Sequence, residues 1–287
     1  MENLTDYIDE IRRLGIRKGY ENWYRGHPKE EYVLEPTIYR NGLIENEDNI
    51  FKEAITRVPN EFINSKSTTE KLVKMQHYGI PTRLLDITAN PLVALYFACN
   101  KDFTTDGEVV FLRIPTNFVK YYDSDTVSVL SNIAKRPENF EIDTATNSIT
   151  EFNGTTQIAY LLHEIKEEKP YFQNVINPKH LEQVFAVKVK LDNERILKQE
   201  GAFLIFGINA NKSRPATVPY KWIVNKKEEV KFIIPAKKKR QLLRELETFG
   251  ISGRTLFPEL ENQGIYLTDK YKIKNSGKPA GNNVYSS

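Results

Sequence analysis

A chain of 287 residues, 40% of them apolar and 11% aromatic, is long enough for one large domain or two small ones and carries the material for a real core. Lys and Arg exceed Asp and Glu by 41 − 38 = 3, so an anionic partner would have to be met by local clustering and not by the field of the whole protein. The one cysteine, Cys99, excludes an intrachain disulfide, and the four histidines, His27, His77, His163 and His180, show no pair at metal-ligand spacing, so no metal is expected.

Residues 3–14 put Leu4, Tyr7, Ile8 and Ile11 on one helical face and stop at Gly15, which predicts an N-terminal helical unit over residues 1–17. A short strand follows around Glu21 to Tyr24. Phe51, Ile55, Val58 and Phe62 then predict one helix over 48–64, and a third helix covers 68–76. Asn90 and Pro91 form a helix start, since Asn caps free backbone donors and Pro at the first position sacrifices no hydrogen bond. The helix from Pro91 to Asn100 is apolar nearly all round and should be buried. Gly107 to Ile114 reads as a core strand, followed by helices near 125–135 and 155–167 separated by the polar stretch Asn147 to Thr155. Strands are expected at 182–190, 202–207 and 230–234, then a helix over 236–249 ending at Gly250. One domain is expected over 18–270 and a flexible polar tail over 271–287.

Cys99 lies in the apolar run Leu95-Tyr96-Phe97-Ala98-Cys99, where it fits a small buried hydrophobe in a reducing compartment, and this predicts a cytoplasmic protein. The acidic start, Met1 to Tyr7, and the lack of a run near the ~18 apolar residues of a membrane span predict neither secretion nor membrane insertion.

Three segments concentrate polar groups. In Trp23-Tyr24-Arg25-Gly26-His27, Arg25 offers a charged fork for phosphate or carboxylate and Gly26 a place for a ligand to approach; the plainer reading of these residues alone is a strand-terminal salt bridge beside a turn glycine. The segment Gln76 to Thr88 packs His77, Tyr78, Thr82, Arg83, Asp86 and Thr88 around Gly79 and Pro81. It is either a ligand site or a structural turn in which Arg83 pairs with Asp86. Between two later strands, Glu194, Gln199 or Glu200 could orient a nucleophile or hold a sugar hydroxyl, or could be solvated loop residues. Lys237-Lys238-Lys239-Arg240 is the strongest cationic cluster, read as a phosphate-binding patch or as a solvated helix face. P-loop, dinucleotide-fingerprint and Gly-x-Ser-x-Gly patterns do not occur.

Tyr24-Arg25-Gly26, Leu34-Glu35-Pro36 with Arg40, Gln76 to Ala98, Arg195 with Gln199, Gly201 and Phe203, and Thr255 to Leu260 follow the motif order of the FRG domain family, which the chain resembles over roughly residues 18–265. The same layout is distantly similar to ADP-ribosyltransferases. That resemblance implies an α+β fold with a split β-sheet core and surrounding helices, and NAD as a substrate. It implies Tyr24, Arg25, Gly26, Tyr78, Thr82, Arg83, Asp86, Thr88 and Gln199 around the dinucleotide, with Arg25, His77 and Glu200 catalytic; Glu194 and Gln199 are the other candidates for the late-glutamate place. The implied activity is transfer of ADP-ribose to a protein or nucleic-acid target, as in toxins or phage defence. A non-catalytic nucleotide or nucleic-acid-binding module is the alternative.

Overall fold

The computed structural model describes residues 3–143, 148–224 and 232–259, together with 264 and 271. The chain is α+β. Its elements are α1 (Leu4–Leu14), β1 (Tyr20–His27), α2 (Glu47–Arg57), α3 (Pro59–Phe62), α4 (Thr68–His77), β2 (Leu84–Thr88), α5 (Pro91–Cys99), β3 (Gly107–Pro115) and β4 (Val119–Tyr121). There follow α6 (Asp125–Asn132), α7 (Ile149–Asn153), α8 (Thr156–Glu168), α9 (Pro178–Leu181), β5 (Val184–Lys188), α10 (Glu194–Lys198), β6 (Gly201–Phe206), β7 (Ile208–Asn209), β8 (Asn211–Pro215), β9 (Ile233–Ile234), α11 (Ala236–Thr248) and α12 (Gly253–Leu256).

The helix expected over 48–64 is broken in two. Pro59 disfavours helical geometry at the residue before it, and Val58 accordingly leaves the helical region with φ −135° and ψ 58°. Elsewhere local chemistry sets the ends: Ser67 and Glu70 make a reciprocal capping box on α4 and, as expected, the Asn90 side chain accepts from the amides of Leu92 and Val93 at the start of α5. The polar stretch before residue 155 holds the short α7, and the loop carrying Glu194 is itself helical as α10. The tail from 272 and residues 230 and 231 of the expected strand lie outside the described residues.

Seven strands form one mixed sheet in the order β4-β5-β6-β2-β1-β3-β9, in which only β4 and β5 run parallel. Its two wings are unequal in how they hold together. β1 pairs with β3 through eight residues and β2 with β6 through five, yet β1 and β2 meet at a single pair, Tyr24 opposite Thr88.

Alternation along the strands explains what covers each wing. Leu85, Ile87, Val110, Leu112, Ala186 and Leu204 face a core shared by both wings and closed by Trp222. The other face carries two separate cores. Leu84, Phe185, Val187, Phe203 and Ile205 pack under α2, α4, α6 and α8, while Tyr24, Val109 and Phe111 pack under α1, α5 and α11. The β1–β2 junction therefore lies at the boundary between two helical layers.

Glycine sets the spacing of the second layer. A Cβ on Gly26 would stand 2.0 Å from the Ala94 carbonyl oxygen and 2.6 Å from the Ala98 nitrogen, and one on Gly107 would stand 2.4 Å from the Ala98 carbonyl oxygen. Gly26 is thus a packing residue whose missing Cβ lets α5 lie directly on β1. Because backbone atoms are what a side chain would strike, Gly26→Ala is expected to cost about 3 kcal/mol or more. Urea denaturation measures this, and a parent-like midpoint would contradict the close approach.

Candidate functional site

The divergence of β1 and β2 leaves a cleft of about 310 Å³. Tyr24, Arg25 and Gly26 of β1 and Asp86, Ile87 and Thr88 of β2 form its floor, and Gln76, Phe97, Lys101, Arg195, Gln199 and Phe257 contribute to its walls. Arg25 occupies the gap where the sheet ladder stops. Its Nη1 donates to the Asp86 carbonyl oxygen at 2.6 Å, and its Nε donates to Nε2 of His27 at 3.1 Å. The Asp86 carboxylate stands 4.0 Å from Nη1, and the two side chains are 20% and 56% exposed, so this is a loose pair open to solvent.

A short relay fixes Asp86. The Thr82 hydroxyl donates to Oε1 of Gln76 at 2.7 Å, which turns the Gln76 amide so that Nε2 donates to Asp86 Oδ2 at 2.8 Å. Thr88 closes the floor by donating to the Gln199 carbonyl at 2.6 Å. On the wall, the Arg195 guanidinium lies 4.9 Å from the Phe257 ring centre and donates to the His77 carbonyl at 3.1 Å, and Phe97 meets Phe257 edge to face.

The structure brings Tyr24, Arg25, Gly26, Asp86, Thr88 and Gln199 together. The other candidates fall elsewhere. Thr82 is buried and reaches the cleft only through Gln76. Arg83 does not pair with Asp86; it is fully buried, donating to both Glu47 carboxylate oxygens and to the Phe206 carbonyl, with Lys212 Nζ 3.2 Å from the same carboxylate. Burial alone would raise the Glu47 carboxyl, but Arg83 and Lys212 outweigh it and hold it below the usual range. Tyr78 lines a different cavity of about 300 Å³, with Lys74, Tyr122 and Lys190. His77 stands between that cavity and the cleft, its Nε2 3.4 Å from Glu259, and burial with Arg195 nearby lowers its pKa. Glu200 adopts φ +46° and accepts from Asn90 Nδ2 at 2.8 Å outside the cleft lining, while Glu194 is in the first turn of α10.

The cationic cluster also divides. Lys239 is fully buried and donates to the carbonyls of Pro28, Lys101 and Asp102, so it staples two segments that border the cleft. Arg240 covers the Phe103 ring at 4.3 Å. Cys99 is buried as expected, and burial pushes its thiol up to about 12. Among the described residues no cluster of three or more His, Cys, Asp and Glu could hold a metal, and no helix is long and apolar enough to cross a membrane.

Sequence reasoning assigned no role to His27, Gln76, Lys101, Arg195 or Phe257. For His27 a signal existed: it stands two residues after Arg25 on a strand, hence on the same face.

These features define an α+β protein with a polar cleft at a sheet junction. Residues 20–107 match the family model described as FRG domain. The matched residues include Tyr24-Arg25-Gly26, Arg40 and Gln76 to Ala98; the Arg195 to Phe203 and Thr255 to Leu260 segments lie beyond them. No curated protein and no solved structure matches the chain.

Burial, with the guanidiniums of Arg25 and Arg40 nearby, pushes His27 from 6.5 down to about 3. Between these values the unfolded chain binds the proton and the folded one does not, so stability is full above 6.5 and falls as the pH drops toward 3. The slope is about 1.4 kcal/mol per pH unit. Urea titrations at pH 6.5 and 4.5 should show the parent losing about 2 kcal/mol more than His27→Gln; equal losses would remove the buried neutral imidazole.

Proposed function

We propose that the cleft binds a nucleotide and that the chain is an ADP-ribosyltransferase-like protein using NAD as substrate. The observation that carries this reading is the Arg25 fork, partly exposed beside Asp86, in a cleft whose other walls hold Arg195, Lys101 and the rings of Phe97 and Phe257. A guanidinium suits a diphosphate, aromatic edges and faces suit a planar base, and a single carboxylate suits a positive charge developing on a ribose. A volume of about 310 Å³ is small for a ligand cleft and fits one nucleotide half, leaving the rest of a dinucleotide toward solvent. The one-pair junction between the sheet's wings supports a split-core arrangement, with the cleft at the split.

In this reading the bond between ribose C1′ and the nicotinamide nitrogen breaks, and its electron pair leaves with nicotinamide. The acceptor's nucleophile bonds to C1′ and passes its proton to solvent water. Asp86, which lines the cleft, takes the charge-stabilising role in preference to Glu200, which Asn90 holds outside the lining. Thr88 contributes to the floor and Gln199 to a wall, and His77, whose carbonyl accepts from the wall residue Arg195, serves as a relay. The target, a protein or a nucleic acid, and a role in bacterial or phage conflict in the cytoplasm, belong to the same proposal through the resemblance.

The position of Glu200 favours a second reading, a nucleotide-binding module without catalysis. Lys239 is turned inward, which takes away the continuous cationic patch that a nucleic-acid module would use.

Release of labelled nicotinamide from NAD, followed alongside ADP-ribose affinity, separates the readings. The parent should release nicotinamide, Asp86→Asn should do so about 100-fold more slowly, and Arg25→Ala should bind ADP-ribose about tenfold more weakly. Binding without release leaves the second reading; no binding at all rejects both.

A further inference from the structure

Arg25 and His27 are two residues apart on β1, so their side chains project from the same face. The Arg25 Nε always carries its hydrogen and donates it to His27 Nε2 at 3.1 Å. An imidazolium has no lone pair to accept with, so the bond requires a neutral ring with its proton on Nδ1. That ring is 1% exposed. Its face is bordered by the Tyr32 ring, edge to face at 6.2 Å, and the Arg40 guanidinium lies over Tyr32 in turn.

The Nδ1 hydrogen is buried without an acceptor among the described residues. A buried donor left unpaired is destabilising, so an apolar residue of similar size would serve the fold at least as well. What an apolar residue could not supply is the acceptor for Arg25. With Nε held by His27 and Nη1 by the Asp86 carbonyl, the guanidinium is fixed at two of its five N–H groups, and among the described residues no acceptor meets Nη2. A long, rotamer-rich side chain is thereby ordered before a ligand arrives, which removes an entropic cost from binding.

We propose that His27 is a positioning residue: its neutral ring locks Arg25 through Nε and so pre-aims the free edge of the guanidinium at the phosphate of a nucleotide in the cleft. The phosphate part rests on the nucleotide reading given above; the lock itself does not.

Two variants separate acceptor chemistry from packing. Gln at position 27 carries an acceptor at about the reach of Nε2, whereas Met fills similar space without one. His27→Gln should bind ADP-ribose within about threefold of the parent, and His27→Met about tenfold more weakly, with a melting temperature no lower than the parent's. Nitrogen-15 spectra of the parent should show the Nδ1–H tautomer of His27 and slow exchange of the Arg25 Nε hydrogen, which speeds up in His27→Met and not in His27→Gln. Parent-like affinity in His27→Met, unchanged exchange, or the opposite tautomer would each overturn the proposal. If the parent binds no ADP-ribose yet exchange depends on residue 27 as described, the lock stands and the nucleotide reading fails.

Discussion

The cleft exists because the two wings of the sheet touch at one residue pair, Tyr24 with Thr88. A continuous ladder between β1 and β2 would have consumed the backbone groups of Arg25 and Asp86 and closed the gap between the two helical layers. Instead, α5 lies directly on β1 and β3 through the bare Cα atoms of Gly26 and Gly107, while α2, α4, α6 and α8 cover the other wing. Each wing is well paired within itself and packed against its own helices. Where they part, side chains replace the ladder, and the Arg25–Asp86 carbonyl bond is the replacement at the centre.

A gap of this kind would be soft if its polar groups were free. Here they are held from behind. Thr82 and Gln76 orient Asp86, Thr88 reaches the Gln199 carbonyl, and Lys239 ties Pro28 to Lys101 and Asp102. The buried Glu47–Arg83–Lys212 group does similar work deeper in the fold, joining α2, the entry to β2, the end of β6 and β8. Removing one partner of such a group leaves an unpaired buried charge, which is why its members belong to the frame and not to the cleft.

Much of the fold was legible in the sequence because it rests on local signals. Asn90-Pro91 marks the start of α5, the apolar run after it marks a buried helix, and Gly107 to Ile114 marks a core strand. Pro59 was the overlooked signal in the second helix, since apolar spacing alone carries across it. The site was half legible. Arg25, Asp86, Thr88 and Gln199 come together, but Arg83 was indistinguishable from a ligand arginine in sequence, because its partner Glu47 is 36 residues away and on another element. Arg195 and Phe257 reach the cleft from α10 and from just after α12, and no spacing rule predicts that meeting. Lys239 shows the same limit in reverse: a run of four cations reads as a surface patch, yet one member faces inward and finds three carbonyls.

The contrast between the two arginines indicates what the cleft can hold. Arg83 is fully buried, and its charge is met by a carboxylate through both oxygens, with a carbonyl beside it, so it is out of a ligand's reach. Arg25 has a neutral ring and a carbonyl for partners, and its nearest carboxylate stands 4.0 Å away and is more than half exposed. Both partners accept a hydrogen bond without cancelling the guanidinium's charge. Lys101 and Arg195 add to it, against Asp86 as the one carboxylate in the lining. The cleft therefore sets three cationic side chains and the rings of Phe97 and Phe257 against a single carboxylate, with Arg25 the cation that its neighbours hold in place without neutralising.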